Sequence, residues 1–509
     1  MLRRRWPVNG HLLGNGIKLS LEDLSLVWRR SMLIEICVFG RRTCIFGTFL
    51  IFLILCSVSP ALADFFPLGE KQETSRFSDE KIQLLVPSDT GNRPPLIYES
   101  GDNFLGIGEL QEGFETPWGA VWQPQLWVFG TLRTGLAYFD NGVRSPSTEW
   151  ATRLSLFANL QLTHTEKIII GVRPLDRNQF NRFTRVQLND EFGSSKFEPN
   201  LDIRTFFFEG DFGSLFPNLD PVGTKPIDVG FSVGRQALTF QNAIMINDTI
   251  DAIGLVRNNI RFKGISGMRS TAIYGWNELD RANARTSSKS DLFGWFNSID
   301  TPGGTKNIDM IYIDDDLEGG NSFNIGFSSI QRLGHYNTSF RINKSFAEQG
   351  TVKANRGTMY SAEVSWTPYR SDDIMYVNTF VVDGTYTQAG RESIVGGALG
   401  GLGILFASPG LGNFLSELNN FTSEEAGFAI GYQAFWSDGQ QPNNHRRSLT
   451  LEVAGTKDLG YKGFDDFGFG FEFRTRLAHR IQLQVDASYS VLEKRDDGQT
   501  VRTEIRYQF

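Results

Sequence analysis

Residues 467–477 read Phe-Gly-Phe-Gly-Phe-Glu-Phe-Arg-Thr-Arg-Leu. Phe467, Phe469, Phe471 and Phe473, continued by Thr475 and Leu477, share one face, and Gly468, Gly470, Glu472, Arg474 and Arg476 share the other. Period-two alternation is the signature of a β-strand whose two faces meet different surroundings. The next segment sets Ile481, Leu483, Val485, Ala487, Tyr489 and Val491 against Gln482, Gln484, Asp486, Ser488 and Ser490. The last sets Val501, Thr503, Ile505, Tyr507 and Phe509 against Arg502, Glu504, Arg506 and Gln508. A sandwich with one wet face alternates in the same way. Two features favour a closed transmembrane barrel: the apolar faces are long enough to cross a bilayer, and the opposite faces carry full charges.

Working outward from the C-terminus, the pattern recurs at Leu154–Leu162, Phe323–Phe327, Tyr336–Ile342, Tyr360–Trp366 and Leu449–Val453. Near 201–212, 289–296 and 374–382 the parity is ambiguous. The expected fold is all-β, an antiparallel up-and-down transmembrane barrel of about 18 strands, with 16 the other count considered; single-chain bacterial barrels take even numbers. If the first strand, Leu126 to Tyr138, runs outward, short periplasmic turns fall at Thr163–Lys167, Gly264–Gly267, Arg332–His335 and Ala478–Arg480. Longer outer loops fall at Pro174–Asn200, Asn277–Ser288 and Asp383–Ser423. The turn at Gly213–Pro226 is longer than that rule prefers.

Composition agrees with this reading. The 509 residues include 53 Gly, 42 Phe and 10 Trp, yet mean hydropathy is −0.23, because only alternate residues of a barrel strand need face lipid. The single long apolar run, Phe46 to Val58, follows Arg41-Arg42 and precedes Ala61-Leu62-Ala63. Basic flank, short apolar core and an A-x-A site read as a secretory signal peptide cleaved after Ala63; a membrane anchor fits less well, because the run is short. Either Met1 or Met32 serves as the start. Cys37, Cys44 and Cys56 all lie before that site, so the mature chain has no thiol for a disulfide or a metal. Removing a leader with 8 Lys/Arg against 3 Asp/Glu takes the net charge from −7 to −12, which disfavours nucleic acid as a partner. The expected domains are the cleaved leader 1–63, a periplasmic or lumen-inserted segment 64–122, and the barrel 123–509.

Strand parity points a set of cations into the lumen: Arg133, Arg153, Arg257, Arg261, Lys263, Arg341, Arg474, Arg476, Arg502 and Arg506. The densest run is Arg257, Asn259, Arg261 and Lys263, with Val256, Ile260 and Phe262 opposite. Glu363, Glu452, Glu472, Asp486 and Glu504 share the interior. Rings of Arg and Lys select anions in pores, and guanidinium binds carboxylate and phosphate in pairs. A wet wall also needs paired charges for its own sake, so any one arginine is more often lining than ligand. The Gly-rich stretch Gly396–Phe406 is too apolar for an exposed loop; it either folds back into the barrel mouth or lies as a hinge on the rim. Enzymatic motifs are nearly absent. The mature chain's His164, His335, His445 and His479 lie at turns or loops without metal-ligand spacing, so no metal or cofactor is expected. A lipid hydrolase with a Ser–His pair is the enzyme alternative.

The stretch Gly230-Phe231-Ser232-Val233-Gly234-Arg235-Gln236, continued by Thr249-Ile250-Asp251 and Arg261-Phe262, resembles the alginate-export family of outer-membrane porins. That resemblance implies an 18-stranded barrel passing an anionic polysaccharide through an electropositive constriction, and adds Arg235 to the candidate pore lining. A terminal Phe509 likewise resembles the signal read by the barrel-assembly machinery. The sequence thus predicts a bacterial outer-membrane channel, among outer-membrane lipids and lipopolysaccharide, passing anionic solutes or an anionic polysaccharide passively. The alternative is an uptake porin for neutral sugars or small acids.

Overall fold

The computed structural model describes residues 96–101, 112–140, 142, 145–176, 184–188, 195–196, 201–222, 227–281, 285–287, 290–315, 320–347, 354–390, 403–406, 411, 418, 423–437, 445–460, 465–478 and 480–509. The leader 1–63, most of the segment 64–122 and Gly396–Leu402 lie outside the described residues.

Eighteen strands make the wall: β1 Gln125–Asp140, β2 Ser147–Gln161, β3 Lys167–Val172, β4 Ile203–Asp211, β5 Gly230–Phe240, β6 Ile246–Ile260, β7 Gly267–Asn277, β8 Ser290–Thr301, β9 Gly304–Asp315, β10 Ser322–Leu333, β11 Tyr336–Ala347, β12 Gly357–Trp366, β13 Ile374–Gly384, β14 Glu425–Ser437, β15 His445–Asp458, β16 Asp466–Ala478, β17 Ile481–Leu492 and β18 Gly498–Gln508. Each pairs antiparallel with its neighbours in sequence, and β18 closes on β1 from Gln499↔Asp140 to Gln508↔Thr131. Closure removes the unpaired edge that lipid cannot solvate. A strand of eleven residues at about 3.3 Å each, tilted roughly 40°, rises roughly 28 Å, the thickness of a bilayer core.

Exposure follows the alternation. On β16, Phe467, Phe469 and Phe471 are exposed while Glu472 and Arg474 are buried, and Val501 and Ile505 flank buried Arg502 and Glu504 on β18. Phe509 sits past the last strand, exchanging backbone hydrogen bonds with Gly130 at 2.7 and 3.0 Å. Below it, Tyr98–Ser100 pairs with Leu126–Val128 and covers the edge of β1 that β18 leaves free. The third stave is interrupted: β3 pairs with the lower part of β2, and Thr184–Gln187 pairs with Glu149–Thr152 higher up. The long turn after β4 holds a one-turn helix, α1 Phe212–Leu215, whose Ser214 N–H is capped by Asp211 at 3.1 Å.

The lumen is not an empty pipe. After β13 the chain turns inward: Ala389 N–H donates to Met245 C=O (2.9 Å), Tyr386 Oη to Ile244 C=O (3.0 Å) and Gln388 Nε2 to Ala243 C=O (2.7 Å). These bonds hold the β5–β6 turn, where Gln241, Asn242 and Ala243 all take positive φ (54°, 53° and 65°), a conformation costing about 1 kcal/mol or more per non-glycine residue. Further on, Leu405 and Phe406 are buried with Phe380, Ala429, Ala454 and Leu492. Inward-facing glycines make the room: an added Cβ would lie 3.2 Å from Leu405 at Gly468, 3.3 Å from Ile404 at Gly470, and 3.2 Å from Leu411 at Gly135 on β1. The described residues of the loop after β13 therefore lie inside the barrel, 386–389 against the β5–β6 turn, 404–406 against β15–β16 and Leu411 against β1, which decides between the two readings of the apolar stretch for its described residues.

Candidate pore lining

Four arginines and a glutamine form one lateral row inside the wall. Arg153 of β2 lies opposite Arg133 of β1, Arg133 opposite Arg506 of β18, Arg506 opposite Gln482 of β17, and Gln482 opposite Arg476 of β16. Directly opposed residues hold their Cβ atoms about 5 Å apart, and like charges so placed repel. Two carboxylates offset this. Glu504, one layer toward the long loops, takes Arg133 in a fork at 2.6 and 2.8 Å and Arg506 at 3.5 Å. Asp176, arriving from the loop after β3, takes Arg153 at 3.1 Å and Arg173 at 3.8 Å. Glu504 thus meets both Arg133 and Arg506, and Asp176 both Arg153 and Arg173.

Exposure separates lining from scaffold. The Arg173, Arg506 and Arg133 side chains keep 34, 31 and 19% of their surface, so a solute in the lumen can reach them. Arg502 and Arg474 keep only 4% and Arg341 1%. Those three face inward but are closed in pairs: Arg502 on Asp486 at 2.9 Å, Arg474 on Glu472 at 3.3 Å, and Arg341 on Glu363. Gln484 bridges Glu472 (2.8 Å) and Asp486 (3.0 Å).

Four sequence-predicted residues are elsewhere. On β6, Ile246, Ile250 and Ala252 are fully buried while Ile253 and Leu255 are exposed, so odd positions face lipid and Arg257 faces outward, not into the pore. Arg261 and Lys263 follow past the end of β6, exposed at the short-turn rim. Arg235 is opposite Asp251 on the same lipid-facing row and is held there by Asp251 (2.8 Å) and Glu278 (3.1 Å). A slip of one residue exchanges every side chain between faces. The usual signal is missing on β6, because its inward face packs against Leu279, Leu292, Ile311 and the infolded Ala389 and is itself apolar.

Of the other inward polar groups, Arg185 and Arg281 carry no strand-parity signal, whereas Glu452 does. Arg185 pairs with Glu149 at 3.2 Å, and Arg281 with Asp315 at 3.5 Å while also donating to Gly320 and Ala389 carbonyls. Asp176 was legible only as one acid in a long loop. Glu452 is buried and accepts the Tyr376 hydroxyl (2.5 Å) and the N–H groups of Ile404 (2.8 Å) and Leu405 (2.7 Å); this one wall residue anchors the infolded loop. His164 lies in the turn after β2 and His335 in that after β10, while His479 and the side chain of His445 lie outside the described residues. Among the described residues no group of three or more His, Cys, Asp or Glu side chains is placed to hold a metal.

No family model and no curated protein matches the chain. Solved structures do. A BenF-like porin from Pseudomonas fluorescens Pf-5 is 12% identical with a TM-score of 0.51, covering 75% of this chain and 98% of its own. OpdK of Pseudomonas aeruginosa, solved with vanillate, is 10% identical with a TM-score of 0.50 and the same coverages. At such identities the likeness is one of fold. With the closed 18-strand barrel, it makes this chain an integral outer-membrane protein of porin architecture. The alginate-export resemblance finds no support there, and two residues of the strands that carried it, Arg235 and Arg257, face lipid.

Proposed function

We propose that the chain is a passive uptake channel for small organic acids, with the Arg153–Arg133–Arg506 row as its anion-biasing element. The observation that carries this reading is the row of inward guanidinium groups on three adjacent strands, with Arg133 and Arg506 partly exposed to the lumen. Planar forks of donors suit a carboxylate passing along the wall. The infolded loop narrows the lumen beside them, which suits a small solute better than a polymer chain. A neighbour of the same fold was solved with vanillate, a small aromatic carboxylate. The polysaccharide reading draws on the same arginines, but the described loop residues inside the barrel favour the smaller solute.

Planar bilayers and swelling of loaded liposomes test the proposal together. A salt gradient should give a reversal potential of anion-selective sign. Benzoate should enter faster than an uncharged sugar of equal size, and a long anionic oligosaccharide should not enter. Cation selectivity, equal rates, or a barrel without conductance would each defeat it.

A further inference from the structure

We propose that the lipid-facing wall of β6–β9 binds one anionic glycerophospholipid of the inner leaflet. Its phosphate sits on Arg257, Arg261 and Lys263, and an acyl chain lies in the groove above them. The short-turn end of the barrel is its periplasmic side, so these cations lie at inner-leaflet headgroup level.

Three independent observations meet here. First, Arg257, Arg261 and Lys263 are exposed and none is ion-paired among the described residues. The nearby carboxylate Asp300 accepts instead from the Thr305 hydroxyl at 2.7 Å. A register break between Arg257 and Ile260, with Asn259 at φ 57°, takes the chain off the regular wall at this point. Second, the wall immediately above holds an apolar groove of about 470 Å³, lined by Leu255, Ala272, Tyr274, Phe293, Trp295 and Met310 among others. Ala272 stands between its cross-strand partners Leu255 and Trp295, and its small side chain makes the depression. Third, the polar boundary is marked: Trp295 Nε1 donates to Ser270 Oγ at 3.0 Å, and Ser270 is the cross-strand partner of Arg257. Tryptophan takes that position where hydrocarbon meets headgroup. Phe262, 62% exposed, lies among the cations as a second interfacial anchor. Guanidinium forks match phosphate oxygens, and clustered cations at a membrane surface favour anionic over zwitterionic lipid.

The test is native mass spectrometry of the folded full barrel incubated with equal phosphatidylglycerol and phosphatidylcholine. The wild type should retain phosphatidylglycerol about tenfold over phosphatidylcholine. The triple variant Arg257→Gln, Arg261→Gln, Lys263→Gln should lose that preference, and Ala272→Phe should retain less of both lipids. No preference in the wild type, an undiminished preference in the triple variant, or full retention by Ala272→Phe would each overturn the proposal. Should the triple variant fail to fold, the wild type at high salt decides: screening must collapse the preference, and a salt-insensitive one refutes the headgroup contact.

Discussion

Glu452→Gln should loosen the infolded loop without opening the wall. The carboxyl accepts three hydrogen bonds, from Tyr376 Oη and the N–H groups of Ile404 and Leu405. An amide can keep its oxygen on both N–H groups, which share one carboxylate oxygen, but its NH2 then faces Tyr376 Oη, so the bond donated by that hydroxyl is lost and the other two lose the carboxylate's charge. At about 1–3 kcal/mol for the lost bond, the substitution costs the docked loop a similar amount. That multiplies the undocked population roughly fivefold to 150-fold. Leu405 and Phe406 remain buried against the wall, worth about 1.5–3 kcal/mol each, so the loop stays mostly in place. Single-channel recordings should then show brief excursions to a higher conductance. Adding Phe406→Ala removes a further roughly 3–5 kcal/mol, and the higher level should dominate. The heat-modifiable gel shift should persist in both variants, since neither touches a ladder hydrogen bond. Wild-type conductance without excursions in a folded double variant would refute the claim that Glu452 and Phe406 hold the loop in the lumen.

Replacing Arg133 and Arg506 together by Gln should move the anion-to-cation permeability ratio toward one. It strands Glu504, 1% exposed, at a cost of about 3–5 kcal/mol, seen as a lower urea midpoint. Adding Glu504→Gln should recover the midpoint but not the selectivity; recovery of both would mean that the row is structural only. Arg235→Gln and Arg257→Gln should leave selectivity unchanged, because both face lipid, and a loss of anion preference in either would show the parity to be wrong. Gly431→Leu should lower the folded fraction sharply, since a Cβ there falls 2.0 Å from the Tyr376 ring and overpacking costs about 1–3 kcal/mol or more. Gly303→Ala, with open space around it, is the matched control and should fold as the wild type does.

The sequence by itself determined the barrel, its closing strand and the faces of β16 to β18. Lipid outside and charge inside stamp opposite chemistry on alternate residues there, and that contrast survives in one dimension as Phe467, Phe469 and Phe471 against Glu472, Arg474 and Arg476. It determined the inward parity of Arg133, Arg153, Arg341, Arg474, Arg502 and Arg506 for the same reason. What only the tertiary structure decided lies where that contrast vanishes. Around β6 the inward face is itself apolar, packed on Leu279, on Leu292 and Ile311 of the neighbouring wall and on Ala389 from more than a hundred residues away, so Ile250 and Leu255 look alike in sequence while one faces the lumen and the other lipid. That apolar inward face goes with Arg235 and Arg257 facing lipid and Arg261 and Lys263 lying at the rim, and only the fold brings Asp176 onto Arg153 and Ile404 and Leu405 onto Glu452. Which arginines stay reachable was likewise a matter of partners, because Arg502 and Arg506 differ only in how completely the neighbouring strands close over them. Local alternation records which solvent a strand faces; it cannot record what another part of the chain places inside the barrel.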